Sequence, residues 1–177
     1  MFFIKDIIDM KKLKLSAVYS ALMVVGAISY SPTILAVECG KAITIKNETN
    51  ASLSQCNYYF KKKKKEPWLT ITRPFLLENS KFEISNSDIT MRNFSSSATL
   101  LEATNSILNI NNSKINTTLP PNSVLELKNT PTTITNSTLT SDYATLIDLN
   151  GGNLNIENST LKVQDRLREL INIWLYD

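Results

Sequence analysis

A chain of 177 residues allows one modest domain with accessory segments. Two cysteines and no histidine leave too few ligands for a zinc site and exclude imidazole-based catalysis. A formal charge of only +3 argues against a nucleic-acid-binding surface.

The chain opens with Lys5, Lys11, Lys12 and Lys14, runs uncharged from Leu15 to Tyr30, and reaches Ile34-Leu35-Ala36. A basic start, an apolar core and a small residue at the cut predict a secretory signal peptide over residues 1–36. The mature chain would then begin at Val37, and Met10 is an alternative start that gives a signal of more usual length. The competing reading is a membrane-anchoring helix, although the run falls short of the ~20 residues needed to span a bilayer. Without the leader the charge drops to +1, since four lysines and two aspartates go with it.

Residues 37–66 read as a separate N-terminal segment with one alternating strand at Ala42-Ile-Thr-Ile-Lys46. Cys39 and Cys56 both follow the cleavage site, so a single structural disulfide is the simplest expectation for an exported chain. Lys61 to Lys65 form an uninterrupted basic run. Such a run usually repels itself into a solvated loop; the functional alternative is contact with anionic lipopolysaccharide, heparin-like glycans or acidic lipid.

Residues 67–163 repeat themselves. Phe82-Glu-Ile84-Ser-Asn86-Ser87-Asp-Ile89 returns as Leu108-Asn-Ile110-Asn-Asn112-Ser113-Lys-Ile115. Two further copies are Thr132-Thr-Ile134-Thr-Asn136-Ser137-Thr-Leu139 and Leu154-Asn-Ile156-Glu-Asn158-Ser159-Thr-Leu161. The corner asparagines are spaced by 26, 24 and 22 residues. Apolar residues two apart share one side of a strand, and Asn tolerates the left-handed backbone of a corner. A third fragment precedes each corner: Leu77-Glu78-Asn79, Leu101-Glu102-Ala103, Leu125-Glu126-Leu127 and Ile147-Asp148-Leu149. Three strands and three corners per repeat predict a short parallel β-helix of about four coils. A β-sandwich built from the same short strands is the alternative.

Stacking would put Ile84, Ile110, Ile134 and Ile156 in one core column. It would put Asn86, Asn112, Asn136 and Asn158 in a hydrogen-bonded corner ladder. Glu78, Glu102, Glu126 and Asp148 would form an outward acidic column, a solvated stripe or a low-affinity calcium stripe. In the tail, residues 164–177, Leu167, Leu170, Ile171 and Trp174 recur at helical spacing and predict a short helix capping the stack; frame-changed sequence without a role is the alternative.

A leader followed by Asn/Ser/Thr-rich coils with the Ile-x-Asn-Ser corner resembles the passenger domain of Gram-negative autotransporters, the pertactin-like adhesins. The resemblance covers about residues 10–163. It implies a right-handed parallel β-helix displayed outside the outer membrane. Such passengers are normally exported by a C-terminal β-barrel, whose alternating transmembrane strands have no counterpart in this sequence, so a passenger fragment or truncated copy is expected.

The search for chemistry returns no catalytic, cofactor-binding or metal-binding set. No phosphate-binding glycine motif occurs. Acids are scattered at Glu83, Asp88, Glu102, Glu126, Asp142, Asp148 and Glu157, with Arg73 and Arg92 the only arginines in the coils. The expectation is a non-enzymatic, exported protein of the periplasm, cell surface or medium. It would contact a host or cell-surface glycan or protein through repeated polar faces, without a cofactor or nucleic acid, and meet membrane only through export or a translocator barrel. A polysaccharide-active enzyme and a nonfunctional fragment are the alternatives.

Overall fold

The computed structural model describes residues 34–61, 73–92, 98–118, 122–164 and 170–174. The proposed leader up to residue 33, Lys62 to Lys65 of the basic run, and Leu167 in the tail lie outside them.

After a two-residue strand β1 (Leu35–Ala36), strands come in threes. They are β2 (Ile43–Lys46), β3 (Ala51–Ser54) and β4 (Asn57–Lys61), then β5 (Phe75–Glu78), β6 (Lys81–Ser85) and β7 (Asp88–Arg92). Next come β8 (Leu101–Thr104), β9 (Ile107–Asn111) and β10 (Lys114–Thr117), then β11 (Ser123–Lys128), β12 (Thr132–Thr135) and β13 (Thr138–Ser141). The last turn is β14 (Thr145–Asn150), β15 (Leu154–Glu157) and β16 (Thr160–Val163), and β17 (Ile171–Trp174) follows it.

First, second and third strands of successive turns pair into three sheets, here sheets 1, 2 and 3, with β1 at the edge of sheet 2. Every pairing is parallel, for example β6 with β9 and β10 with β13, which describes a parallel β-solenoid and rules out a sandwich. The four repeats are four turns of this stack.

Alternation decides what lies inside. Ile84, Ile110 and Ile134 are in register and essentially inaccessible, and Ile156 continues the column half-buried in the last turn. Ile89, Ile115 and Leu139 make the equivalent column of sheet 3, and Leu77, Ala103 and Leu127 that of sheet 1. Near the start of the stack the interior is aromatic: Phe60 meets Phe75 edge-on at 5.7 Å, and Phe75 meets Phe82 at 6.2 Å.

The spacing between repeats has a single source. From sheet 1 to sheet 3 every repeat uses fourteen residues, as from Leu101 to Ile115, Leu125 to Leu139 and Ile147 to Leu161. The return to sheet 1 shortens from twelve residues (Ile89 to Leu101) to ten (Ile115 to Leu125) and eight (Leu139 to Ile147). Within the four repeats two corners keep a constant length, and the third absorbs insertions.

Two expectations are corrected. Residues 43–61 are not a separate segment: β2, β3 and β4 pair with β5, β6 and β7 and form one more turn beneath the repeats. The tail is not helical over Ile171–Trp174, which pairs in parallel with β14, because the open edge of sheet 1 offers backbone partners to an extended segment. Leu35 and Ala36, the last residues of the expected leader, pair in parallel with β3 as an exposed edge, which leaves cleavage after Ala36 untouched. No helix among the described residues is long and apolar enough to cross a membrane.

Candidate functional site: the Asn–Ser corner and the acidic row

Both corners of constant length rest on one backbone device. Asn47, Asn79, Asn105 and Asn129 at the first corner, with Gln55, Asn86, Asn112, Asn136 and Asn158 at the second, all adopt φ between 46° and 56°. This is the left-handed region, which Asn enters more readily than other side chains. In the last turn Gly151 takes the first-corner position at φ 75°, and a Cβ there would come within 2.6 Å of Asn129 Oδ1.

In the four repeats the residue after each corner asparagine carries a hydroxyl, buried at Ser80, Ser87, Ser106, Ser113, Thr130 and Ser137 and half-buried at Ser159. At the second corner the Ser113 hydroxyl donates to the Asn111 carbonyl at 2.8 Å and accepts from the Ser87 N–H at 3.1 Å. The Ser113 N–H donates in turn to Ser137, and the Ser137 N–H to Ser159. Ser80, Ser106 and Thr130 do the same at the first corner. These hydroxyls give partners to N–H groups that the turn takes out of the sheet ladder, so no buried donor is stranded there. The asparagine side chains add bonded rungs, Asn112 Nδ2 to Asn86 Oδ1 at 2.7 Å, Asn79 to Asn47 and Asn129 to Asn105. Asn136 and Asn158 continue the corner column in backbone register. The sequence signal for the first-corner column is Asn79-Ser80, Asn105-Ser106 and Asn129-Thr130, each seven residues ahead of the second-corner pair of its repeat.

Along the second corner runs a shallow, open groove of about 470 Å³. Its floor is Cys56, Ser87 and Ser113. One wall is the amide row Gln55, Asn86, Asn112 and Asn136, and the other is Asn57, Asp88 and Lys114, which stand in register at the start of sheet 3. Asp88 and Lys114 are exposed enough, and at 4.0 Å far enough apart, to count as a weak, screened pair.

The acidic row stands in part. Glu126 is paired in register with Glu102 on one side and with Asp148 on the other. Glu78 is not in this row. It lies opposite Thr104, and Leu76 holds the position beneath Glu102. The constant fourteen-residue step makes Phe75-Leu76-Leu77, not Leu77-Glu78-Asn79, the equivalent of Leu101-Glu102-Ala103. Glu78 instead pairs with Lys46 at 2.8 Å. Arg73 Nε sits against Glu102 Oε2 as an ion pair, yet that oxygen, itself buried, has no partner in hydrogen-bond geometry. The pair is therefore a close charge contact without directional bonding. Burial pushes the Glu102 carboxyl above its ordinary value, Arg73 opposes the shift, and Glu126 and Glu78 add to it. Among the described residues no three acids converge on a point that could hold a metal ion.

Cys39 and Cys56 form a disulfide. Cys56 is buried at the second corner, where its N–H donates to the Ser87 hydroxyl. The bridge thus fastens the chain ahead of the first turn to the foot of the serine column.

No protein-family model, curated protein or solved structure matches this chain.

Proposed function

We propose that the chain is an exported, non-enzymatic β-solenoid of the autotransporter-passenger type, right-handed as that class is, which acts as a contact surface. The observation that carries this reading is the in-register repetition of outward-facing polar side chains, partly or fully exposed. Glu83, Asn109, Thr133 and Asn155 form one row on sheet 2, and Thr90, Asn116, Thr140 and Lys162 one row on sheet 3. Neighbouring turns lie ~4.8 Å apart, so one weak contact recurs at a fixed step and many add by multivalency. Beads carrying the chain at graded density, presented to mucin-coated and epithelial surfaces, test it. Retention rising faster than linearly with density is expected, and retention equal to albumin-coated beads at every density overturns it.

One observation favours a second reading, a polysaccharide-active enzyme. Glu102 and Glu126 are stacked neighbours with Arg73 beside them, and a carboxyl held above its ordinary value suits an acid catalyst. Retaining glycosidases use two carboxyls about 5–5.5 Å apart. Release of reducing ends from a polysaccharide panel, abolished in Glu126→Gln, would establish this reading. No release from any member removes it.

A further inference from the structure

The two corners of constant length share a backbone but not a surface. At the first, the residues following the buried hydroxyls are Lys81, Ile107 and Pro131, so that side of the corner carries a cation, an aliphatic chain and an imide ring. At the second, the corresponding residues are Asn57, Asp88, Lys114 and Thr138, all hydrogen-bonding side chains in register. The second corner therefore has facing polar walls along three consecutive turns, over a floor of Cys56, Ser87 and Ser113.

We infer that this groove binds a linear, uncharged polysaccharide lying along the solenoid axis. The inference rests on the contact-surface reading above and names the ligand class for one part of that surface. Three features of the groove select the ligand. First, its charge cancels: Asp88 and Lys114, stacked neighbours on one wall, are the two ionised groups among its lining residues, so a polyanion gains no net attraction and gives up the hydration of its own charges. Second, the other wall side chains, Gln55, Asn57, Asn86, Asn112 and Asn136, are amides, each of which both donates and accepts, as a sugar hydroxyl does. The ladder bond uses one N–H of Asn112 and one lone pair of Asn86, and further donors and acceptors on both remain for a ligand. The serine hydroxyls of the floor are already committed to the backbone, which fixes the walls without competing for the ligand.

Third, the groove repeats. Turns succeed one another at ~4.8 Å, the scale on which pyranose rings succeed one another in an extended chain. A polymer of hydroxyl-bearing rings can therefore meet the same amide pair turn after turn, whereas a peptide strand would seek backbone partners at a sheet edge. No aromatic ring lines the groove to stack on a sugar face, so each ring is held weakly and length supplies the affinity.

The test is NMR titration of the full chain with glucose, cellohexaose, maltohexaose and a heparin hexasaccharide, following the side-chain amides of Gln55, Asn86, Asn112 and Asn136. These resonances should move with cellohexaose or maltohexaose at least about tenfold more tightly than with glucose, and not with heparin. Asp88→Ala and Lys114→Ala should each weaken that binding with unchanged unfolding midpoints; both sites are outside the left-handed corner, so folding is spared. Two results overturn the inference: silent corner amides with both uncharged hexasaccharides, or an equal response to heparin. If the corner is silent while beads still adhere, only the groove assignment falls. If beads also fail to adhere, the contact-surface reading falls with it.

Discussion

The backbone N–H of Ser113 donates to the side-chain hydroxyl of Ser137, one turn away, at 3.0 Å. A serine at this point is not a polar residue that happens to be tolerated inside. It accepts one turn's orphaned donor while giving its own proton to the carbonyl two residues back.

Ser113→Ala should therefore cost about 1–3 kcal/mol, because the buried Ser87 N–H loses its acceptor and the Asn111 carbonyl its donor. Ser159→Ala, in the half-exposed last turn, should cost under about 1 kcal/mol, since water can replace the hydroxyl. Urea midpoints of the two variants provide the measurement. Equal losses would show that the hydroxyls are not the buried acceptors described.

Asn112 tests the backbone separately from the side chain. Its φ of 46° is left-handed, so Asn112→Ala should lose roughly 1–2 kcal/mol. Asn112→Gly should lose less than Ala, since glycine takes this φ without a Cβ penalty and forfeits mainly the Asn86 rung. The reverse order in thermal unfolding would contradict a left-handed corner.

Glu102 should make stability depend on pH. Its folded carboxyl lies above the ordinary 4.5 mainly through burial, so the folded state binds its proton more tightly than the unfolded chain does. The stabilisation this provides is fully present below pH 4.5 and is lost as pH rises through the folded value. Glu102→Gln should flatten that slope in denaturant titrations from acid to neutral pH. An unchanged slope would place the titration elsewhere.

Calcium should not stabilise the fold. Arg73 already contacts Glu102, and Glu126 and Asp148 lie along a line instead of around a point. Unfolding midpoints with and without millimolar calcium should coincide. A rise with calcium would restore the acidic row as an ion site.

Cys39 and Cys56 should be unreactive to thiol reagents in the denatured, unreduced chain. The bridge spans 17 residues, so Cys39→Ser paired with Cys56→Ser should lower stability by roughly 3 kcal/mol through the unfolded chain's regained freedom. Two labelled thiols per chain would remove the bridge.

Strand, corner and core were legible from sequence because each rests on neighbours within a few residues. Phe82 and Ile84, two apart, face one way whatever lies above them, and Asn86 turns the chain by its own tolerance of left-handed backbone. What lies above what is a different matter. Glu78 looks like Glu102 in its local phrase, yet stacking obeys the fourteen-residue step, and Leu76 takes the place. The turn at residues 43–61 is disguised in the sequence because Gln55-Cys56 stands where the repeats have Asn-Ser, although Gln55 takes the same left-handed backbone. Leu170, Ile171 and Trp174 fit a helical spacing as well as an extended one, and the free edge of β14 decides for a strand at Ile171–Trp174 by offering backbone partners. The groove, too, belongs to tertiary structure. Asn57, Asp88 and Lys114 are far apart along the chain and become one wall only because parallel strands stack the same position of every turn.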